Sequence, residues 1–289
     1  MGQLDIAAKV LLEEVPEPFV RLFLGDVAIR EVRAEQTELP ALTRHLDKLL
    51  RVVIEGEDDP LWVHFEVQAS WRSTVPERAF EYWSLAHRRH SNLLTVVLCL
   101  TRGDRQGEPV GRFEVVVRGR RRLVFEFDVL RVWADLNAED LLAGRALALL
   151  PLVPFAEGAS PAHAERALAR LADVADEDQR RELRVALATF AEQAFQEQGW
   201  LARIPKEELM ESTTWKEIGA EFEAKGERKV LTLQLEKRLG ERARRFVDRL
   251  QTASPTELES MAELLADQRT DDDLVSALEI LLPRSDPEE

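Results

Sequence analysis

The sequence has a single cysteine among 289 residues, so the chain cannot form an internal disulfide. It has no uninterrupted apolar run near the ~18 residues that indicate a membrane-spanning helix. The first residues mix charged side chains with apolar ones, unlike a signal peptide. These absences predict a protein of the reducing cytoplasm with no membrane partner.

Basic residues are also in deficit, because 39 Lys and Arg stand against 54 Asp and Glu, a net charge of −15. This balance counts against general affinity for nucleic acids, since phosphate binding requires cationic side chains. The deficit lies mainly in the second half of the chain. Residues 1–150 carry 20 basic and 24 acidic residues, whereas residues 151–289 carry 19 and 30. The first half therefore leaves room for a local basic surface.

Two apolar-rich runs, residues 46–54 and 61–68, flank an acidic break at residues 55–60 that contains Gly and Pro. Runs of this length and composition predict two strands of a β-hairpin with a long turn. Because strand side chains alternate between faces, Glu66 and Gln68 share one face of the second strand. We expect Asp47, from the first strand, to lie level with them.

Carboxylates on adjacent strands can supply the oxygen ligands that Mg²⁺ prefers. The alternative is an ordinary solvated polar face that carries an Asp and a Glu. The residue pattern by itself leaves both interpretations open.

Several short motifs occur in a fixed order around this hairpin. They are Arg44-x-x-Asp47-x-Leu49, the strand segment Phe65-Glu66-Val67-Gln68, a helix with Arg78 and Tyr82-Trp83, and an apolar strand at residues 93–100. The set resembles the Rpn-like recombination-promoting nucleases, also called transposase-like proteins, of the PD-(D/E)XK nuclease superfamily. The segments QLEKRLG at residues 234–240 and LESMAELLADQRTDDDLVSAL at residues 258–278 are similar to a short helical domain often fused to these proteins.

The resemblance implies a DNA endonuclease that hydrolyses phosphodiester bonds with Mg²⁺ or Mn²⁺. Asp47 and Glu66 would hold the metal, and Gln68 would complete the catalytic set. Two departures from the superfamily pattern stand out, because Leu46 replaces a proline and Gln68 replaces a lysine. They leave open an alternative, a catalytically weak or inactive nuclease-fold protein that binds DNA or another protein.

The fold class predicted is α/β, with a restriction-endonuclease-like mixed sheet of about five strands, flanking helices and a helical C-terminal region. The domains expected are the nuclease-like residues 1–156, a helical extension at 157–225 and a small helical domain at 226–289. A helix is expected at residues 135–150, and a charged break at residues 225–229. The apolar stripes of the last helices fit either an internal core or a homo-oligomer interface.

Two further features bear on function. The densest basic cluster is Arg118, Arg120, Arg121 and Arg122, at the tip of a second predicted hairpin. It fits either a solvated turn or contacts with DNA phosphates, which need cationic donors but no sequence reading. Cys99 lies in the apolar run TVVLCL, which favours a buried structural thiol over a nucleophile.

Overall fold

A five-stranded sheet is the centre of the first two-thirds of the chain. The structure is a computed structural model and describes residues 2–25, 27–35, 48–102, 109–250, 253, 255–266 and 270–281. Its strands are β1 (Ile29–Glu35), β2 (Lys48–Ile54), β3 (Leu61–Ser70), β4 (Leu93–Thr101), β5 (Arg112–Val117), β6 (Arg120–Glu126) and β7 (Asp128–Arg131). The main sheet has the order β1-β2-β3-β4-β7, and β5 and β6 form a separate two-stranded sheet.

The main sheet is mixed. Its first three strands pair antiparallel, whereas β3, β4 and β7 run parallel. A parallel pair needs a crossover connection, which a helix supplies between β3 and β4. The predicted α/β class, with a mixed sheet of five strands and flanking helices, is confirmed.

Helices cover both faces of this sheet, and the elements described after β7 are all helices. They are α1 (Gln3–Glu14), α2 (Pro16–Leu24), α3 (Val75–His87), α4 (Val132–Asp135), α5 (Ala138–Ala143), α6 (Pro161–Arg170), α7 (Glu177–Phe195), α8 (Lys206–Glu211), α9 (Thr213–Leu239), α10 (Arg244–Leu250), α11 (Pro255–Ala266) and α12 (Asp271–Leu281). Short 3₁₀ segments occur at Leu147–Phe155, Leu171–Asp173, Leu201–Arg203 and Gly240–Ala243.

The two faces of the sheet differ in their cover. On one face, Val63, Phe65 and Val67 of β3 join the main apolar core, which includes residues of α1, α2, α6 and α7. On the other face, Leu49 of β2 packs with Tyr82 and Ala86 of α3. Alternation along β3 thus places one set of side chains in the main core and the other set under α3.

The structure corrects the helix predicted at residues 135–150. This stretch instead contains α4, α5 and the 3₁₀ segment Leu147–Phe155, which includes Pro151 and Pro154. Asn137 caps α5 through its side chain, which accepts the backbone N–H groups of Glu139 and Asp140. The backbone is extended at Leu136 and Asn137, where the Asn137 cap starts α5, and again at Gly144, where α5 ends.

The chain divides into two compact units, Met1–Lys216 and Glu217–Glu289. In the first unit, α6 and α7 belong to the predicted extension at residues 157–225, and they pack into the same core as the sheet. The second unit has a core of its own, centred on Leu235, Phe246, Met261, Leu274 and Leu278. The predicted helical character of the C-terminal region is confirmed.

The charged stretch at residues 225–229 is not a break. It lies inside α9, which is continuous from Thr213 to Leu239. Lys, Glu and Arg are good helix formers, so the single Gly226 is tolerated within the helix. Among the described helices, none combines the length and apolar character that a membrane crossing requires.

A buried carboxylate fixes the start of α9. Glu182 of α7 accepts the backbone N–H groups of Thr213 and Thr214, at 2.7 and 3.0 Å, and the hydroxyl of Ser212, at 2.9 Å. The first N–H groups of a helix have no partner within it, and a negative charge there interacts favourably with the helix dipole. Glu182 therefore supplies hydrogen-bond acceptors and charge at the same point.

Candidate functional site

The candidate site lies on the face of β3 that α3 covers. His64 and Glu66 are buried on this face, and the Glu66 residue is only 1 % exposed. Gln68 lies at the carboxyl end of the strand and is also buried. The predicted alternation therefore brings Glu66 and Gln68 together.

Among the described residues, Gln68 and Arg78 donate to the Glu66 carboxylate. Gln68 Nε2 donates to Glu66 Oε1 at 2.9 Å and to the Val67 carbonyl at 2.7 Å. The Arg78 guanidinium donates to the same Oε1 and forms an ion pair with the carboxylate. On the side of the other carboxylate oxygen, His64 Nε2 lies 3.9 Å from Oε2. The site is thus a buried anion beside a cation, an amide and an imidazole.

Helix α3 places Arg78 over the strand. Pro76 occupies the start of the helix, where a missing N–H has no consequence. One turn later Ala79 is buried, and Tyr82 sets its ring edge-on to His64 at 5.8 Å between centroids. This packing fixes the first turn of α3, and with it Arg78, beside Glu66.

Strand register extends the site across the parallel strands. Gln68 pairs with Cys99 of β4, and Cys99 pairs in turn with Arg131 of β7. Burial raises the pKa of the Cys99 thiol to about 12, so the reactive thiolate is strongly disfavoured at neutral pH. The Cys99 Sγ donates to the Thr101 carbonyl at 3.6 Å. Cys99 is therefore a structural thiol, as its apolar run predicts.

The predicted site residue Asp47, and Arg44 of the same motif, lie outside the described residues. In the sequence, Asp47 directly precedes Lys48, the first residue of β2. Lys48 pairs with Phe65, which immediately precedes Glu66. The convergence of Asp47 with Glu66 remains a prediction.

The described oxygen donors suit a hard cation only in part. Glu66 offers one carboxylate, and the Gln68 amide and the Val67 carbonyl offer neutral oxygens, the class of ligand that Mg²⁺ takes. In the described part of the chain no three His, Cys, Asp or Glu side chains form a metal-binding group. A divalent cation at Glu66 therefore needs a further acidic ligand, the role predicted for Asp47.

The second predicted feature, the arginine cluster, lies on the β5–β6 hairpin. Arg118 and Gly119 form its two-residue turn, with φ of 50° and 69°. All four arginines of the cluster are exposed. Arg121 differs from the other three because its Nε lies 3.2 Å from Glu114 Oε2. Arg118, Arg120 and Arg122 make no ion pair with the described residues.

Two residues near Glu66, on the face of the main sheet that α3 covers, were not in the predicted catalytic set. Arg78 was noted in the helix motif, but its contact with Glu66 depends on how α3 crosses the sheet. Arg131 carried no local signal, since only strand register aligns it with Cys99 and Gln68.

Comparisons of this chain with protein-family models, with curated proteins and with solved structures found no match.

Proposed function

We propose that this chain is a Mg²⁺- or Mn²⁺-dependent DNA endonuclease of the PD-(D/E)XK type, in which Asp47 and Glu66 hold the metal. The observation that supports this proposal is the convergence of Glu66, Gln68 and Arg78 on one sheet face. The order of elements also agrees with the resemblance, since the E-x-Q strand precedes an arginine-bearing helix and a buried parallel strand.

The residues of the site have distinct roles in this proposal. Glu66 and Asp47 would hold the cation, which would supply activation of a water molecule and positive charge beside the phosphate. Gln68 donates both observed hydrogen bonds through Nε2, so its amide oxygen is the acceptor that can orient a water molecule. Arg78, which forms an ion pair with Glu66, would supply part of the positive charge that a lysine at position 68 would provide.

One observation favours the rival function, a binding protein without catalysis. Arg78 forms an ion pair with Glu66, and Gln68 donates to the same carboxylate oxygen, so the charge of Glu66 is compensated without metal. A nuclease fold that has lost its chemistry would keep such a closed pair for stability. The two proposals differ in what a divalent cation does to the protein.

The test is nicking of supercoiled plasmid by the full-length protein with Mg²⁺ or Mn²⁺. We expect slow nicking by the wild type and its loss in Asp47→Asn and in Glu66→Gln. Glu177→Gln is the matched control, because Glu177 is an exposed glutamate in the first turn of α7, outside both the candidate site and the β5–β6 hairpin. Nicking that persists in Glu66→Gln, or is absent from the wild type at all metal concentrations, would exclude the proposed catalytic site.

A measurement of metal binding distinguishes a protein that binds metal without catalysis from one that has no metal site. A ligand that binds only the native state raises its stability by mass action. Mg²⁺ or Mn²⁺ should therefore raise the Tm of the wild type and of Glu177→Gln, but not that of Glu66→Gln. Equal shifts in all three proteins would argue for the rival function.

Gln68→Lys tests the departure from the superfamily pattern. If Gln68 is a weak substitute for lysine, the variant should nick at least as fast as the wild type. If the site is built around a neutral amide, the added cation should compete with the metal and lower the rate. Comparing the metal dependence of nicking in the two proteins distinguishes these cases.

A further inference from the structure

The β5–β6 hairpin is a basic element in an acidic protein. Residues 112–126 contain five arginines and two glutamates, a net charge of +3, whereas the whole chain carries −15. Glu114 is satisfied locally, because both Arg112 and Arg121 form ion pairs with it. The positive charge of Arg118, Arg120 and Arg122 therefore faces solvent without a described acidic partner.

The same hairpin exposes apolar side chains. Val116, Val117 and Val124 are 58 %, 47 % and 43 % exposed. Val116 pairs with Arg121 and Val117 pairs with Arg120, so apolar and cationic side chains lie side by side. A membrane-surface element would separate them into an apolar and a basic face. The mixture suits a partner that presents anionic groups and apolar surface at short intervals.

The hairpin is a rigid support for this surface. Phe113 and Phe125 pack on Phe80 of α3, at 5.4 and 5.6 Å between ring centroids, and Phe125 also packs on Trp83. The register skips Arg122 between the pairs Val115–Leu123 and Val116–Arg121, which is a β-bulge that increases local twist. The helix that anchors the hairpin is the one that carries Arg78 to Glu66.

We propose that the β5–β6 hairpin enters the major groove of duplex DNA, with Arg118, Arg120 and Arg122 on phosphates and the exposed valines against sugars and thymine methyl groups. This inference rests on the proposed function for its choice of DNA. The major groove of B-DNA, about 12 Å wide, admits a two-stranded β-ribbon, and its thymine methyls are apolar contacts. The positive φ of Arg118 also fits a role in binding, since glycine or asparagine would be less strained there.

The test measures binding, not cleavage, by fluorescence anisotropy of a short DNA duplex in EDTA. The variant is R118G/R120A/R122A, in which glycine keeps the turn. The control R21A/R166A/R203A removes the same charge from exposed arginines that pair with Glu17, Glu139 and Glu165. Circular dichroism should show that both variants are folded.

We expect the hairpin variant to bind duplex DNA roughly ten- to a hundredfold more weakly and to lower the salt slope by about 2.7, the value for three phosphate contacts. The control variant should stay close to the wild type. Equal losses in the two variants would show that only net charge matters, and would overturn the proposal.

A duplex RNA of the same sequence tests the groove. Side chains cannot read the deep, narrow major groove of A-form RNA, so the wild type should bind it at least about tenfold more weakly. Equal binding of the two duplexes would overturn groove entry. Vesicles with anionic lipid are the other probe. If the hairpin variant lost vesicle binding but kept DNA binding, the hairpin would be a membrane-binding element and the proposal would be overturned.

Nicking and DNA affinity, both measured on the wild type and on the hairpin variant, separate this inference from the proposed function. Duplex-specific binding that depends on the three arginines, in a protein that never nicks, would support the hairpin and reject the nuclease. Nicking by the wild type, together with unaltered DNA affinity in the hairpin variant, would support the nuclease and reject the hairpin proposal.

Discussion

At the scale of single residues, Arg78 is the most informative side chain, because it neutralises a carboxylate that is almost fully buried. Removing one member of a buried ion pair leaves the other charge uncompensated, which costs stability. Arg78 itself is 37 % exposed, so water would moderate the loss. The competing interpretations of Glu66 differ in what can replace this guanidinium.

Arg78→Ala should therefore lower the free energy of unfolding in EDTA by about 2 kcal/mol, less than for a fully buried pair. If Glu66 binds metal, Mg²⁺ should stabilise this variant more than the wild type, since the cation takes over the role of the guanidinium. Urea unfolding with and without Mg²⁺ measures this difference, with Arg166→Ala as the exposed control. A loss of stability that Mg²⁺ leaves unchanged would support a purely structural pair.

Asp135, the last residue of α4, provides a pH-dependent test of its contact with Arg131 of β7. Hydrogen bonds from the Arg131 side chain lower the pKa of the Asp135 carboxyl below its ordinary 3.8, against the opposing effect of burial. The native state then binds fewer protons than the unfolded chain in this range. The pair contributes its full stability above pH 3.8 and loses it as the pH falls through the lower native pKa.

Asp135→Asn should lower stability at pH 6 by no more than about 1 kcal/mol, the range for partly exposed pairs. The difference from the wild type should shrink as the pH falls below 3.8. Thermal unfolding between pH 2.5 and 6 measures it. A difference that is constant across this range would mean that Asp135 acts through packing and not through its charge.

At the scale of elements, the contact between α7 and the start of α9 is the clearest helix cap in the structure. The Glu182 carboxylate accepts three hydrogen bonds, two of them from backbone N–H groups of α9. Hydrogen bonds to a charged group contribute about 1.5–3 kcal/mol each, and truncation leaves the donors unsatisfied.

Glu182→Ala should lower the free energy of unfolding by about 3 kcal/mol, and Glu182→Gln by roughly half as much because the amide keeps one acceptor. Glu177→Gln is the control, since Glu177 lies on the exposed first turn of the same helix. Denaturant unfolding compares the three variants. An effect of Glu182→Ala no larger than that of the control would remove this cap from the account of stability.

Local sequence patterns predicted the strands better than they predicted helix boundaries and tertiary contacts. Alternation along residues 61–68 placed Glu66 and Gln68 together, and apolar composition identified β4. The helix predicted at residues 135–150 was wrong because Asn137 starts a new helix and Gly144 ends it. The break at residues 225–229 failed because charged residues are as compatible with a helix as with a loop. The contact of Arg78 with Glu66 is tertiary, so no local pattern contains it.

At the scale of the whole molecule, the first unit contains a complete core. The main cluster of buried apolar side chains lies between Ala7 and Ile204 and includes the sheet and its covering helices. The second unit uses none of these residues for its own core. Each unit therefore has the apolar interior that independent folding requires.

A chain of residues 1–225 should fold alone and keep a cooperative thermal transition, because it retains the sheet, α1, α3, α6, α7 and the Glu182 contact. Circular dichroism and calorimetry measure this, with the full-length protein as the reference. An insoluble chain, or one that melts without cooperativity, would show that the second unit is needed to stabilise the first.

The lone thiol of β4 has a practical consequence. Cys99 lies between β3 and β7 in the centre of the sheet, fully buried, and its high pKa suppresses the thiolate. A thiol reagent can label it only after the sheet opens. Labelling rates at increasing denaturant thus act as a clock for opening at one central position, without an introduced probe. The same measurement would show whether DNA or a divalent cation slows that opening.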